Sequence, residues 1–178
     1  MKLPLIELAA RTPDAIALRA DGFDTATLRE TADATLRLAA ALRAHDLGPT
    51  RRVLVIARNR PSTVLAHAAA LLGEASSVPV NFHLTANEIA YIVDESGAQL
   101  AFVDSSTEAA TRAAVDGKPV TIVRLPDVGI AGGVGDELSS FVGGSEPIEP
   151  RDDQRVIPNL LFTSGTTGRP KAVQLPPK

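Results

Sequence analysis

Apolar residues along this chain follow two alternating rhythms, and the alternation predicts an α/β fold. Val53-Leu54-Val55-Ile56-Ala57 is a continuous apolar run of strand length, as expected for a parallel strand covered on both faces. A helical stretch over 62–72 follows, then a strand around Val78, a helix running to about Glu95 and a strand over 100–103. A third helix, 108–115, and a strand over 120–124 continue the series. Successive strands lie about 20 to 25 residues apart, the length of a short βα unit. Together they predict a layered, mostly parallel sheet with helices packed on its faces.

Earlier in the chain, residues 5–10 read as a short helix ending near Arg11-Thr12-Pro13, and 15–20 as a strand turning at Asp21-Gly22. Thr27-Leu28-Arg29-Glu30 has the spacing of a capping box, in which Thr27 accepts from the Glu30 N–H while Glu30 reaches back. The helix it opens carries Leu28, Thr31, Thr35, Leu38 and Leu42 on one face and an Asp33–Arg37 pair on the other. Leu47-Gly48-Pro49 ends that segment. Thr85-Ala86-Asn87-Glu88 is a second capping box. From 126 to 150 the pattern dissolves into glycine, serine and acidic residues, and predicts a loop connection. Its glycines lack the Gly-x-Gly-x-x-Gly spacing of a dinucleotide site, because Leu138 takes the last position.

The chemistry concentrates in Leu160-Leu161-Phe162-Thr163-Ser164-Gly165-Thr166-Thr167-Gly168-Arg169-Pro170-Lys171. Gly165 and Gly168 let main-chain N–H groups approach a ligand without side-chain obstruction. Thr163, Ser164, Thr166 and Thr167 add hydroxyls, and Lys171 adds a mobile cation. The combination suits the phosphate tail of a nucleotide. It is not a Walker loop: the two glycines are three apart, Arg169-Pro170 precede Lys171, and Ala172-Val173-Gln174-Leu175 reads as a strand where a Walker loop needs a helix. The expected layout is a hairpin over 156–175, strand, flexible loop and strand.

At Phe162 through Lys171 the sequence resembles the adenylate-forming superfamily of acyl-CoA synthetases, luciferases and nonribosomal-peptide adenylation domains, whose signature loop it matches at every fixed position. Upstream, Asn59-Arg60-Pro61, Val78-Pro79-Val80-Asn81, Leu84 to Ile92, and Gly97-Ala98 leading into Leu100-Ala101-Phe102-Val103-Asp104 fall in the family's order and lean toward fatty-acyl-CoA ligases. Two positions depart from the pattern. Ala172 stands where a glycine is usual, and no Thr-His pair follows.

The resemblance implies an ATP-dependent acyl-CoA ligase: a carboxylate and ATP give acyl-AMP and pyrophosphate, and a thioester with CoA follows. Fatty acid is the expected substrate; an acyl-AMP ligase, an aryl-acid adenylating enzyme and a noncatalytic binding module are the alternatives. It further implies that Thr163, Ser164, Gly165, Thr166, Thr167, Gly168 and Lys171 bind the triphosphate, that Lys171 acts on the terminal phosphates, and that Thr163 lies near Mg2+. On the same ground the whole chain, 1–178, is expected to be the N-terminal part of the large domain of such an enzyme. The rest of that domain and a C-terminal lid would lie elsewhere, so this piece alone is expected to be inactive. Its last strands are expected to be exposed, frayed or paired with another copy.

Composition narrows the field. A net charge of −3 offers no basic face for nucleic acid. The absence of cysteine excludes disulfides, thiol catalysis and cysteine-metal sites. No apolar run approaches the ~18 residues needed to span a bilayer, and Glu7 and Arg11 interrupt any signal-peptide core; a cytoplasmic location is the expectation. His45, His67 and His83 share no metal-ligand spacing. Ser105-Ser106 after Asp104 reads as helix-capping chemistry, not as a nucleophile.

Overall fold

Strict alternation of side chains along two central strands divides the core in two. A computed structural model describes residues 4–20, 25–130, 136–149, 157–163 and 170–174. Strand β3 (Arg52–Ile56) and strand β5 (Leu100–Val103) pair in parallel, Val53 opposite Leu100 and Val55 opposite Phe102. Because successive residues of a strand face opposite sides, Val53, Val55, Leu100 and Phe102 point into one apolar layer, and Leu54, Ile56, Ala101 and Val103 into the other. All eight are buried. The four-stranded parallel sheet is completed by β4 (Ser76–Pro79) and β6 (Thr121–Arg124), in the order β4-β3-β5-β6.

The first layer is filled by helices α2 (Leu28–Ala44) and α3 (Pro61–Leu72), which bring Leu38, Leu42, Ala66, Ala69 and Ala70 against the sheet. Their small residues allow a close crossing. A Cβ on Gly73, at the end of α3, would sit 2.9 Å from the Cβ of Leu42 and 3.0 Å from the carbonyl oxygen of Ala39. The second layer is filled by α4 (Ala86–Ser96), which contributes Ile89, Ile92 and Val93, and by α5 (Glu108–Ala114) with Ala114. A short α1 (Pro4–Arg11) and the two-stranded pair β1 (Ile16–Leu18) and β2 (Ala26–Thr27) precede them.

Both capping boxes form. The Glu30 carboxylate accepts from the N–H and hydroxyl of Thr27, and Glu88 does the same for Thr85, each at 2.7–2.8 Å. The expected face of α2 is buried, and Arg37 pairs with Asp33 at 2.9 Å.

One stretch departs from the sequence reading. Within 126–150, expected to be a loop throughout, residues Glu137–Val142 form a helix, α6. Asp136 caps it by accepting from the Ser139 N–H at 2.8 Å. Leu138 buries in the first layer, and Phe141 meets Phe102 edge-on with ring centroids 6.0 Å apart. Leu138, Phe141 and Val142 lie at i, i+3 and i+4, so they form one apolar stripe, and docking that stripe stabilises a helix too short to persist alone. The turn expected at Asp21-Gly22 and the glycines at 132, 133 and 135 lie outside the described residues.

Candidate functional site

The C-terminal hairpin is built by period-two patterning. Strand β7 (Leu160–Thr163) runs antiparallel to β8 (Lys171–Gln174), with Leu160 opposite Gln174, Phe162 opposite Ala172 and Thr163 opposite Lys171. Leu160 is buried in the second apolar layer and Phe162 packs against it. That pins the inward face, so the alternate residues Leu161 and Thr163 point the other way. Directly opposed residues share a face, and Thr163 and Lys171 therefore stand side by side, both exposed. The Thr163 hydroxyl lies 3.5 Å from the Lys171 carbonyl oxygen, at the limit of a hydrogen bond. Lys171 makes no ion pair among the described residues.

Of the seven residues expected to bind phosphate, Thr163 and Lys171 are thus brought together at the base of the loop. Ser164, Gly165, Thr166, Thr167 and Gly168 lie outside the described residues. Strand β8 is exposed at all four positions, Val173 included, whereas β7, expected to be exposed with it, is largely covered, with Leu160 buried.

Two side chains unnoticed in the sequence hold the legs of this hairpin. Ser76 of β4, itself buried, donates its hydroxyl to the Pro158 carbonyl at 2.7 Å, just before β7. Tyr91 of α4 donates its hydroxyl to the Pro170 carbonyl at 3.2 Å, just before β8. The β4–α4 unit therefore grips the chain on entry to the hairpin and on exit from its loop.

A second polar cluster closes the carboxyl ends of β3 and β5. Asp104 is almost wholly buried, and Oδ2 accepts from the backbone N–H and Nε of Arg58 at 3.0 and 3.1 Å. Oδ1 accepts from the N–H and hydroxyl of Ser106 at 2.9 and 2.6 Å and from the Thr107 N–H at 3.1 Å. Burial pushes the Asp104 carboxyl up, but the hydrogen bonds from Ser106 and Arg58 outweigh it and hold the group well below the usual carboxylate range. Asp127 sits nearby, taking hydrogen bonds from Ser105, Arg60 and Arg124. Its burial is likewise outweighed by the Ser105 and Arg124 hydrogen bonds, and its carboxyl is held low. The Ser105 and Ser106 hydroxyls are accordingly committed to carboxylates held low, which are weak bases.

Among the described residues no group of three or more His, Asp or Glu is placed to hold a metal ion. Mg2+ takes near-octahedral oxygen coordination and is commonly shared between one or two carboxylates, water and substrate phosphates. The exposed Thr163 hydroxyl suits a single position of such a set, the remainder coming from phosphate oxygens and water. His67 faces Ser77, and burial lowers its pKa; His45, at the end of α2, packs at a tilt against Phe141. A cavity of about 450 Å³ between α2 and α6, with Leu38, Leu65, Leu138 and Val142 among its walls, shares no residue with the hairpin. None of the described helices is long and apolar enough to cross a membrane.

With this geometry in place, comparison with known proteins is informative. Residues 5–177 match the family model described as AMP-binding enzyme. The chain is 32% identical over 171 residues to the 2-succinylbenzoate–CoA ligase of Bacillus subtilis (strain 168), covering 96% of this chain and 32% of that protein. It is 33% identical over 144 residues to the 3-hydroxybenzoate–CoA ligase of Aromatoleum sp. (strain CIB), covering 75% of this chain and 26% of the relative. The chain thus spans about a third or less of these relatives. Among solved structures, a benzoate CoA ligase from Burkholderia xenovorans LB400 superposes with a TM-score of 0.79 at 17% identity, over 96% of this chain and 33% of that one. The o-succinylbenzoate CoA synthetase of Bacillus subtilis, in complex with its acyl-adenylate intermediate, superposes with a TM-score of 0.69 at 27% identity, over 96% of this chain and 41% of that one.

Proposed function

Because this chain belongs to the AMP-binding enzyme family, within the adenylate-forming superfamily, we propose that it supplies the triphosphate-binding hairpin of an acid–CoA ligase. The observation that carries the reading is the register that sets Thr163 directly opposite Lys171 across the mouth of the loop. A hydroxyl and an ammonium, both exposed and on one face, flank a run whose two glycines leave the main chain open to anions.

The reaction needs positioning more than covalent help. A carboxylate is a poor acyl donor because its leaving group would be oxide. In the proposed chemistry a carboxylate oxygen attacks the α-phosphorus of ATP, the bond to the bridging oxygen breaks, and pyrophosphate leaves with that electron pair. A thiol, that of CoA, then attacks the acyl carbon of the mixed anhydride and AMP departs. In this scheme Lys171 Nζ pairs with oxygens of the leaving phosphates. Thr163 would contribute one oxygen to the Mg2+ that travels with ATP, and Ser164, Gly165, Thr166, Thr167 and Gly168 would donate hydroxyl and main-chain hydrogen bonds.

The acid is drawn more broadly than a fatty acid. Relatives named for 3-hydroxybenzoate and for 2-succinylbenzoate align with this chain, as does the fatty acid–[acyl-carrier-protein] ligase MmaC of Mycobacterium marinum at 34% identity over 180 residues. That last name keeps a carrier-protein thiol as the alternative acceptor. Since the chain spans about a third of such relatives, turnover is proposed for the complete gene product and phosphate binding for these residues.

The test is ATP–pyrophosphate exchange driven by a panel of aryl and fatty acids, using the complete gene product. One charge-assisted contact contributes about 1.5–3 kcal/mol, so Lys171→Ala is expected to slow exchange roughly 10- to 100-fold. An unchanged rate in a folded variant removes Lys171 from the reaction.

A further inference from the structure

We infer that Tyr91 is a positioning residue for the phosphate hairpin, acting through Pro170 to set where Lys171 presents its ammonium. The inference rests on the phosphate-binding reading and goes beyond it, since Tyr91 lies on a different element and has no part in the loop motif.

Tyr91 does not belong to the face by which α4 is held. Ile89, Ile92, Val93 and Ser96 bury that helix in the core, whereas Tyr91 is half-buried at the margin of the second apolar layer, as is Phe162 of the hairpin. Margin packing alone would be served equally by phenylalanine. What the phenol adds is a donor, directed at Pro170. Pro170 immediately precedes Lys171, the first residue of β8 paired among the described residues. Proline also has no N–H with which to pin itself. A side chain from the rigid βα layer therefore fixes the residue bonded directly to Lys171. Ser76 fixes the other leg at Pro158, two residues before β7. With its legs held from β4 and α4, the hairpin's seat on the parallel layers is set by those elements and not by its own ladder alone. A small misplacement of a phosphate-directed cation costs rate in a step that depends on alignment.

This arrangement also provides its own reporter. The chain has one tyrosine and no tryptophan, so its intrinsic emission comes from the phenol that touches the loop's exit.

The experiment compares Tyr91→Phe with the wild type and with Lys171→Ala. In pyrophosphate exchange by the complete gene product, Tyr91→Phe is expected to lower kcat about three- to tenfold, the worth of one neutral hydrogen bond. The KM for the acid should be unchanged and the melting temperature lowered only slightly. A merely structural tyrosine would lower the melting temperature and leave kcat alone. In the 178-residue chain, inorganic tripolyphosphate is expected to change tyrosine emission, and the change should be weakened in Lys171→Ala. A kcat within twofold of wild type in a folded Tyr91→Phe overturns the inference while slow exchange by Lys171→Ala leaves the phosphate reading standing. If Tyr91→Phe does not fold, wild-type emission decides: no change at saturating tripolyphosphate overturns it. If the wild type neither exchanges pyrophosphate nor responds to tripolyphosphate, both readings fall together.

Discussion

Replacing Asp104 by Asn keeps the shape of a buried side chain and removes only its charge and half of its acceptors. Five donors converge on the carboxylate: the N–H and Nε of Arg58, the N–H and hydroxyl of Ser106, and the N–H of Thr107. The amide oxygen of Asn can keep the Ser106 and Thr107 contacts. Its NH2 then faces both Arg58 donors, and two favourable contacts become donor-to-donor oppositions. Each charge-assisted bond contributes about 1.5–3 kcal/mol, but the Arg58 side chain is 42% exposed and water recovers part of its share. The expected loss is about 3 kcal/mol, which for a chain of this size lowers Tm by roughly 6–12 °C.

Thermal and urea unfolding at neutral pH measure it. The pH dependence gives an independent check. Asp104 ionises more readily in the folded chain than in the unfolded one, so its contribution is full above the unfolded value of about 3.9. It is lost as the pH falls below that value toward the lower folded one. The gap in stability between wild type and Asp104→Asn should therefore narrow in acid. A loss under about 1 kcal/mol at neutral pH, or a gap that stays constant into strong acid, would refute the account of this cluster.

Two further outcomes follow from packing and burial. Gly73→Ala should cost about 1–3 kcal/mol by urea denaturation, because the added methyl meets Leu42 and the Ala39 carbonyl where α2 and α3 cross; an unchanged midpoint would show that the crossing can relax. His67 binds its proton less tightly when folded than when unfolded, because it is buried. Stability should therefore fall as the pH drops below about 6.5, the unfolded value, and His67→Gln should flatten that slope in urea midpoints measured across pH.

Much of the sheet could be read from the chain because its central strands are buried on both faces. The apolar runs at 53–57 and 100–103 admit few other interpretations, and the two capping boxes fix helix starts by local hydrogen bonds alone. Strand β4 was harder. Only its Val78 is conspicuous, since Ser76 and Ser77 are buried for the sake of partners, Pro158 and His67, that are distant in sequence or hidden by the fold. Helix α6 escaped for a different reason: six residues give too little periodicity, and the apolar surface that stabilises them belongs to other elements. At the proposed site, the loop motif singled out Thr163 and Lys171, and the hairpin expected there sets them opposite each other. Tyr91 and Asp104 carried no signal as functional or architectural side chains, because a hydroxyl's target 79 positions away and a carboxylate's five donors exist only after folding.

In open α/β sheets the customary berth for a ligand is the crevice where strand order reverses. Here that reversal falls between β3 and β5, and Arg58, Asp104 and Thr107 fill it with protein. That vestibule is, in effect, bolted shut. With phosphate binding proposed at the flank instead, the hairpin's own residues can change without loosening the keystone on which the layers rest.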